Sequence, residues 1–154
     1  MNYWLAKSEP EEFSIDDLKK DKVCHWDGVR NYQARNYLQE MQLGDLVLFY
    51  HSNANPPGVA GIMKVVKTAY PDPSQFDKKH KYFDPKSTSE KPRWFCPEFK
   101  FERKFKHLVS LSDLRAQKSL GKLPLLQRGS RLSVHPVQKK EFDTIVDLGA
   151  GTPA

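Results

Sequence analysis

Cysteine is scarce in this 154-residue chain: Cys24 and Cys96 are the only two. They lie far apart and match neither a zinc-ligand spacing nor a redox pair. That argues against a disulfide scaffold and a thiolate metal site, and a reducing compartment is expected. No stretch of about 18 apolar residues occurs, which argues against a membrane-spanning helix. The start, Met1-Asn2-Tyr3-Trp4-Leu5, lacks the charged-then-apolar profile of a secretory signal. The five histidines, His25, His51, His80, His107 and His135, form no HxxxH pair, and GxSxG, P-loop and GxGxxG motifs are missing. His51 and Ser52 are neighbours at the end of an expected strand. Strand alternation sends them to opposite faces, so they do not form a nucleophile–base pair. No internal repeat or heptad is present. The expectation is a protein with no catalytic activity, no metal and no cofactor.

What the chain does have is aromatic bulk and uneven charge. Nine Phe, 6 Tyr and 3 Trp offset a hydrophobic share of 38%, enough for a packed core. The length suits one domain, taken as residues 1–149 with a short tail at 150–154. Residues 1–77 hold 8 Lys/Arg against 11 Asp/Glu (−3), and residues 78–154 hold 17 against 8 (+9), which together make the net +6. Such asymmetry in one domain implies a basic face and points to a polyanionic partner.

Along the chain, Tyr3–Ala6 reads as a first strand ending at the polar Lys7-Ser8-Glu9-Pro10. Ser14, with Asp17 three residues on, is the signature of a capped helix start. Trp26-Asp27-Gly28-Val29-Arg30-Asn31 is the stretch around which the rest is organised: a strand end, a turn and a helix cap in six residues. Ala34, Tyr37, Leu38 and Met41 make one helical face, ended by Gly44. Leu46–Tyr50 is an apolar run expected to be buried on both faces, paired as an antiparallel hairpin with Val59–Val66. Tyr70–Arg93, with four prolines and the basic knot Lys78-Lys79-His80-Lys81, reads as a long surface loop. Phe95–Glu102 alternates as a strand in which Pro97 demands an edge or a bulge. A short helix capped by Ser112, a basic turn Arg128-Gly129-Ser130-Arg131, a strand Leu132–Val134 stopped by His135-Pro136, and a helix Lys139–Leu148 complete the order.

Binding chemistry is better supported than catalysis. Trp26 offers a stacking plane for a base, worth about 1–3 kcal/mol, although a buried Trp serves equally as core. Lys7, Ser8, Asn31, Ser52, Arg131 and Ser133 all fall at strand ends or turns. Hydroxyls and an amide there suit the donor–acceptor edge of a base. Lys78, Lys79, Lys81 and Arg128 suit its phosphate backbone.

Taken together, the segments Tyr3–Pro10, Trp26–Asn31, Gly44-Asp45 with Phe49–Ser52, Pro57–Gly61 and Arg131–Val137 resemble the EVE-domain family, with five motifs in order. The resemblance implies an α+β, PUA-like fold: a curved, mostly antiparallel β-barrel of about six strands with short helices around it. The family is related to YTH domains, which hold a methylated adenine in an aromatic cage. The resemblance therefore implies a non-enzymatic module reading a modified base, expected to be modified cytosine in DNA. RNA and a free nucleoside or other small ligand remain as alternatives. It implies a pocket of Lys7, Ser8, Trp26, Asn31, Ser52, Arg131 and Ser133, with Phe49, Tyr50 or Trp94 facing Trp26. No basic extension precedes Met1, so a stand-alone bacterial form is expected: monomeric, cytoplasmic, nuclear only if eukaryotic, and without a membrane partner.

Overall fold

The computed structural model describes residues 1–150, so most of the expected tail lies outside the described residues. Strand β1 (Tyr3–Ser8) leads to helix α1 (Ile15–Asp21), which starts where its cap chemistry dictates. The Ser14 hydroxyl accepts from the Asp17 N–H, and the Asp17 carboxylate accepts from the Ser14 N–H. A three-residue strand β2 (Val23–His25) runs into the Trp26 turn. Asn31 then caps α2 (Tyr32–Glu40) by accepting the Ala34 N–H at 2.9 Å. The hairpin follows as β3 (Leu46–His51) and β4 (Gly58–Pro71). After β5 (Phe95–Ser110) come α3 (Leu111–Arg115), β6 (Val134–Val137) and α4 (Lys139–Gly149).

The six strands form one curved sheet in the order β2-β5-β4-β3-β1-β6. All neighbours are antiparallel except β1 and β3, which run parallel with Lys7 opposite Tyr50 and Ser8 opposite His51. The expected barrel is not closed: the sheet ends in β2 and β6, strands of three and four residues at opposite edges. Repeated bulges bend β4 against β5. Pro97 lies opposite one of them, between the Lys67–Glu98 and Tyr70–Cys96 pairs, where its missing N–H costs no ladder bond.

Alternation along β1 and β3 divides the core in two. Trp4, Ala6, Val47 and Phe49 pack with α1, α2 and Trp26 on one face. Leu5, Leu48 and Tyr50 pack with Phe105, Leu114, Phe142 and Ile145 on the other. Burial of β3 on both faces follows from this layering.

Several boundaries differ from the sequence reading. β5 continues eight residues past Glu102 to Ser110, so Ser110 rather than Ser112 caps α3. The last strand is Val134–Val137, with His135 and Pro136 inside it. An edge strand tolerates that proline, because β6 pairs only with β1. The stretch Tyr70–Arg93 is not a featureless loop. The end of β4 and a 3-10 turn (Pro73–Phe76) give it structure, and Gln75, fully buried, pins it. The Gln75 amide donates to the Asp72 and Trp94 carbonyls and accepts from the Arg93 and Trp94 N–H groups.

Candidate functional site

The parallel pairing of β1 and β3 brings their C-terminal ends to one rim. The Ser52 N–H donates to the Ser8 carbonyl at 3.0 Å, and the Lys7 N–H donates to the Ser133 carbonyl at 2.9 Å. Three segments far apart in the chain are thereby tied side by side. A cavity of about 760 Å³ opens there, lined by Lys7, Ser8, Ser52, Arg131 and Ser133 on one side. The Trp26–Arg30 turn and the strap His80-Lys81-Tyr82 supply the other. This volume lies within the range of small-molecule sites, about 300–1,000 Å³.

Trp26 is held rather than free. Its backbone N–H donates to the Pro97 carbonyl, its ring meets Phe49 edge-on at 5.5 Å and Phe99 at 5.4 Å, and 7% of its surface is exposed. Gly28 follows at φ +81°, with the Tyr82 ring lying over its backbone; a Cβ there would come within 2.6 Å of that ring. The strap is latched to this turn by Asp72. One carboxylate oxygen accepts from the Gly28 N–H at 2.8 Å and from Arg30 at 3.2 Å, and the other accepts from Ser74. Arg30 also donates to the Tyr82 carbonyl and the Ser74 hydroxyl, and its guanidinium lies against the Tyr82 and Trp94 rings. A Lys81–Glu12 pair at 2.6 Å joins the strap to the segment after β1.

Burial shapes the protonation of the site. It lowers the Lys7 ammonium and pushes the Cys24 thiol up to about 12, so the thiol that lines the cavity stays neutral. It also lowers His51, whose Nε2 accepts the Ile15 N–H at 3.1 Å; the ring is a neutral acceptor at the start of α1. Burial alone would raise the Asp72 carboxyl, but its bonds from Ser74, the Gly28 N–H and Arg30 outweigh that and hold it below the ordinary value. His25 and Asp27 approach to 3.6 Å on the cavity wall. Among the described residues, no group of three His, Cys, Asp or Glu is placed to hold a metal ion.

Of the residues singled out from the sequence, Lys7, Ser8, Trp26, Ser52, Lys81, Arg131 and Ser133 come together here. The others do not line the cavity. Asn31 spends its amide oxygen on the α2 cap. Phe49 is sealed in the core behind Trp26. Tyr50 points to the opposite face, as strand alternation requires, and lines a second cavity together with Arg128. Trp94 stacks on Tyr32 at 4.9 Å and donates its indole N–H to Asp84. Lys78 and Lys79 are exposed just before the strap, short of the cavity. The Phe and Tyr rings that share the cavity with Trp26 are Phe13 and Tyr82, and neither is among the residues singled out from the sequence. Arg30 was also passed over as a site residue. Its place inside the Trp26–Asn31 motif was the available signal, whereas Tyr82 had none beyond the neighbouring basic knot.

A curved, mainly antiparallel sheet flanked by helices, with a mixed polar and aromatic cavity at the end of its parallel pair, defines a PUA-like domain with a ligand slot. More specifically, the sequence matches the EVE domain over residues 2–148, and the chain belongs to the EVE-domain family. It is 45% identical to mouse thymocyte nuclear protein 1 over a 172-residue alignment that covers 99% of this chain and 76% of the mouse protein. A crystal structure of a Pseudomonas syringae protein superposes with a TM-score of 0.93 at 51% identity, covering 95% of this chain and 98% of that one. The human THYN1 protein, crystallised in complex with 5-methylcytosine-containing DNA, superposes with a TM-score of 0.92 at 42% identity, covering 99% of this chain and 100% of that one.

Proposed function

We propose that this protein is a non-enzymatic reader of modified bases in nucleic acid, taking a cytosine modified at carbon 5, in DNA, into the cavity beside Trp26. The observation that carries the reading is the convergence of Trp26, Tyr82, Ser8, Ser52 and Ser133 on one cavity, in a chain whose human relative was crystallised with 5-methylcytosine-containing DNA. Trp26 supplies the stacking face, worth about 1–3 kcal/mol. Asp27 and the serine hydroxyls supply acceptors suited to the exocyclic amine of cytosine. The added methyl group gains apolar contact worth about 1–3 kcal/mol, the margin available for telling modified from unmodified base. Everting the base from a duplex costs a few kcal/mol, which a close stacking site offsets. The protein acts as a monomeric domain spanning residues 1–149, and no bond in the nucleic acid is made or broken.

Matched DNA and RNA oligonucleotides, with and without 5-methylcytosine, titrated at two salt concentrations test this. Methylated DNA is expected to bind about 10-fold or more tightly than its unmethylated twin. Equal affinity across the set would end the reading, and a preference confined to RNA would move the partner to RNA. Product formed from a methylated oligonucleotide by the purified protein would refute the absence of catalysis.

A further inference from the structure

The two cavities at the rim differ in charge. The one beside Trp26 is lined by four cations, Lys7, Arg30, Lys81 and Arg131, and by four carboxylates, Glu9, Glu12, Asp21 and Asp27, a balance of zero. On the opposite face of the sheet lies a second cavity of about 540 Å³. It carries Lys7, Arg115 and Arg128 and no carboxylate, a balance of +3. No ion pair among the described residues uses any of these three cations. Lys7 is half-buried, and burial lowers its ammonium pKa, the mark of a charge without a compensating partner. Burial raises the Tyr50 phenol above its ordinary value, and the nearby Arg115 guanidinium opposes that shift in part. Tyr50, Ser52, Asn53 and Ser130 add neutral hydrogen-bonding groups to the same walls. Lys7 and Ser52 line both cavities, so one wall separates them.

We propose that the second cavity binds a phosphodiester of the nucleic-acid backbone adjacent to the base held in the first. The proposal rests on the base-reading role of the first cavity. A base and its own backbone must reach the protein together, and the shared wall offers a neutral slot on one side and an unpaired cationic cradle on the other. Guanidinium groups suit the task because they meet phosphate oxygens through two parallel N–H bonds. The long-range attraction of the basic half is distributed over the surface. This cradle instead sets the register of the strand relative to the base slot.

The test uses the whole chain and its Arg115→Gln/Arg128→Gln variant. Both arginines are exposed, so the variant is expected to keep the wild-type unfolding midpoint. Oligonucleotides with and without one 5-methylcytosine are titrated over a salt series. A second set has the linkages flanking that base replaced, one at a time, by neutral methylphosphonate. The variant is expected to bind methylated and unmethylated strands more weakly by the same factor, about 3- to 10-fold per lost contact, with a log–log salt slope shallower by about 1–2. One methylphosphonate is expected to weaken the wild type and leave the variant unaffected. An unchanged salt slope, or the same methylphosphonate penalty in both proteins, overturns the proposal. Inorganic phosphate at constant ionic strength is expected not to displace the oligonucleotide. Displacement at low millimolar concentration would assign the cavity to free anions and overturn the backbone role. Equal binding of methylated and unmethylated strands by the wild type would count against the first cavity's role, while the slope and methylphosphonate comparisons still decide the second's.

Discussion

Trp26 packs against Phe49 and Phe99 and also lines the cavity, so its removal affects stability and binding together. Trp26→Ala is expected to cost about 3–5 kcal/mol in denaturant unfolding. Trp26→Phe keeps most of the packing and is expected to weaken binding of a methylated oligonucleotide within the stacking range of about 1–3 kcal/mol. Asp72 is the second residue on which the site depends, being fully buried with two donors on each carboxylate oxygen. Asp72→Asn leaves Arg30 without its counter-ion and sets an amide N–H₂ against other donors, an expected loss of about 3–5 kcal/mol. Because the folded-state pKa of Asp72 lies below the ordinary 3.8, its stabilisation is complete above that value and fades as pH falls through the folded value. Acid titration of stability should therefore show a drop in the wild type that is missing from Asp72→Asn. Trp26 was legible in the sequence as a ring beside a turn. The pairing of Arg30 with Asp72 was not, since a partnership across 42 residues leaves no local pattern.

At the scale of elements, short-range chemistry was legible in the sequence and the full length of the bent strands was not. Ser14 with Asp17, and Asn31, cap their helices because a cap satisfies N–H groups within three residues of itself. β4 and β5, of 14 and 16 residues, outrun their apparent lengths because bulges let one bent strand serve both core faces. Gly61 sits at such a bulge, and a Cβ there would collide with the Arg103 carbonyl. Gly61→Ala is expected to destabilise the protein by about 1–3 kcal/mol, read as a shift in the urea midpoint. His135, inside edge strand β6, is fully buried with Nε2 lacking a partner, and burial pushes its pKa down from 6.5 to about 4. The neutral ring is the folded form, so its contribution is complete above pH 6.5 and is lost as pH falls towards about 4. Between those limits His135→Leu should show a flatter stability–pH curve than the wild type, with a residual slope from His51, which burial also lowers.

Over the whole molecule, charge and layering decide what the surface offers. The basic second half contributes β5, the strap and the turn at Arg128, while the acidic first half supplies all four cavity carboxylates. Oligonucleotide affinity should fall steeply as salt rises, with a slope of about −0.9 for each phosphate contacted on duplex DNA. An affinity independent of salt would contradict a backbone-bound mode. Helix caps and strand periodicity placed the elements, and the order of five motifs carried the resemblance that implied the fold class and the family, because each is written in residues close together in the chain. Tertiary structure alone decided which of those residues meet. The pairing of β1 with β3 on one side and with β6 on the other brings Ser8, Ser52 and Ser133 to one rim, alternation turns Tyr50 away from Trp26, and the Asp72 latch puts Tyr82 where another ring had been expected. Such choices depend on pairing and register between segments dozens of residues apart, which no local pattern encodes.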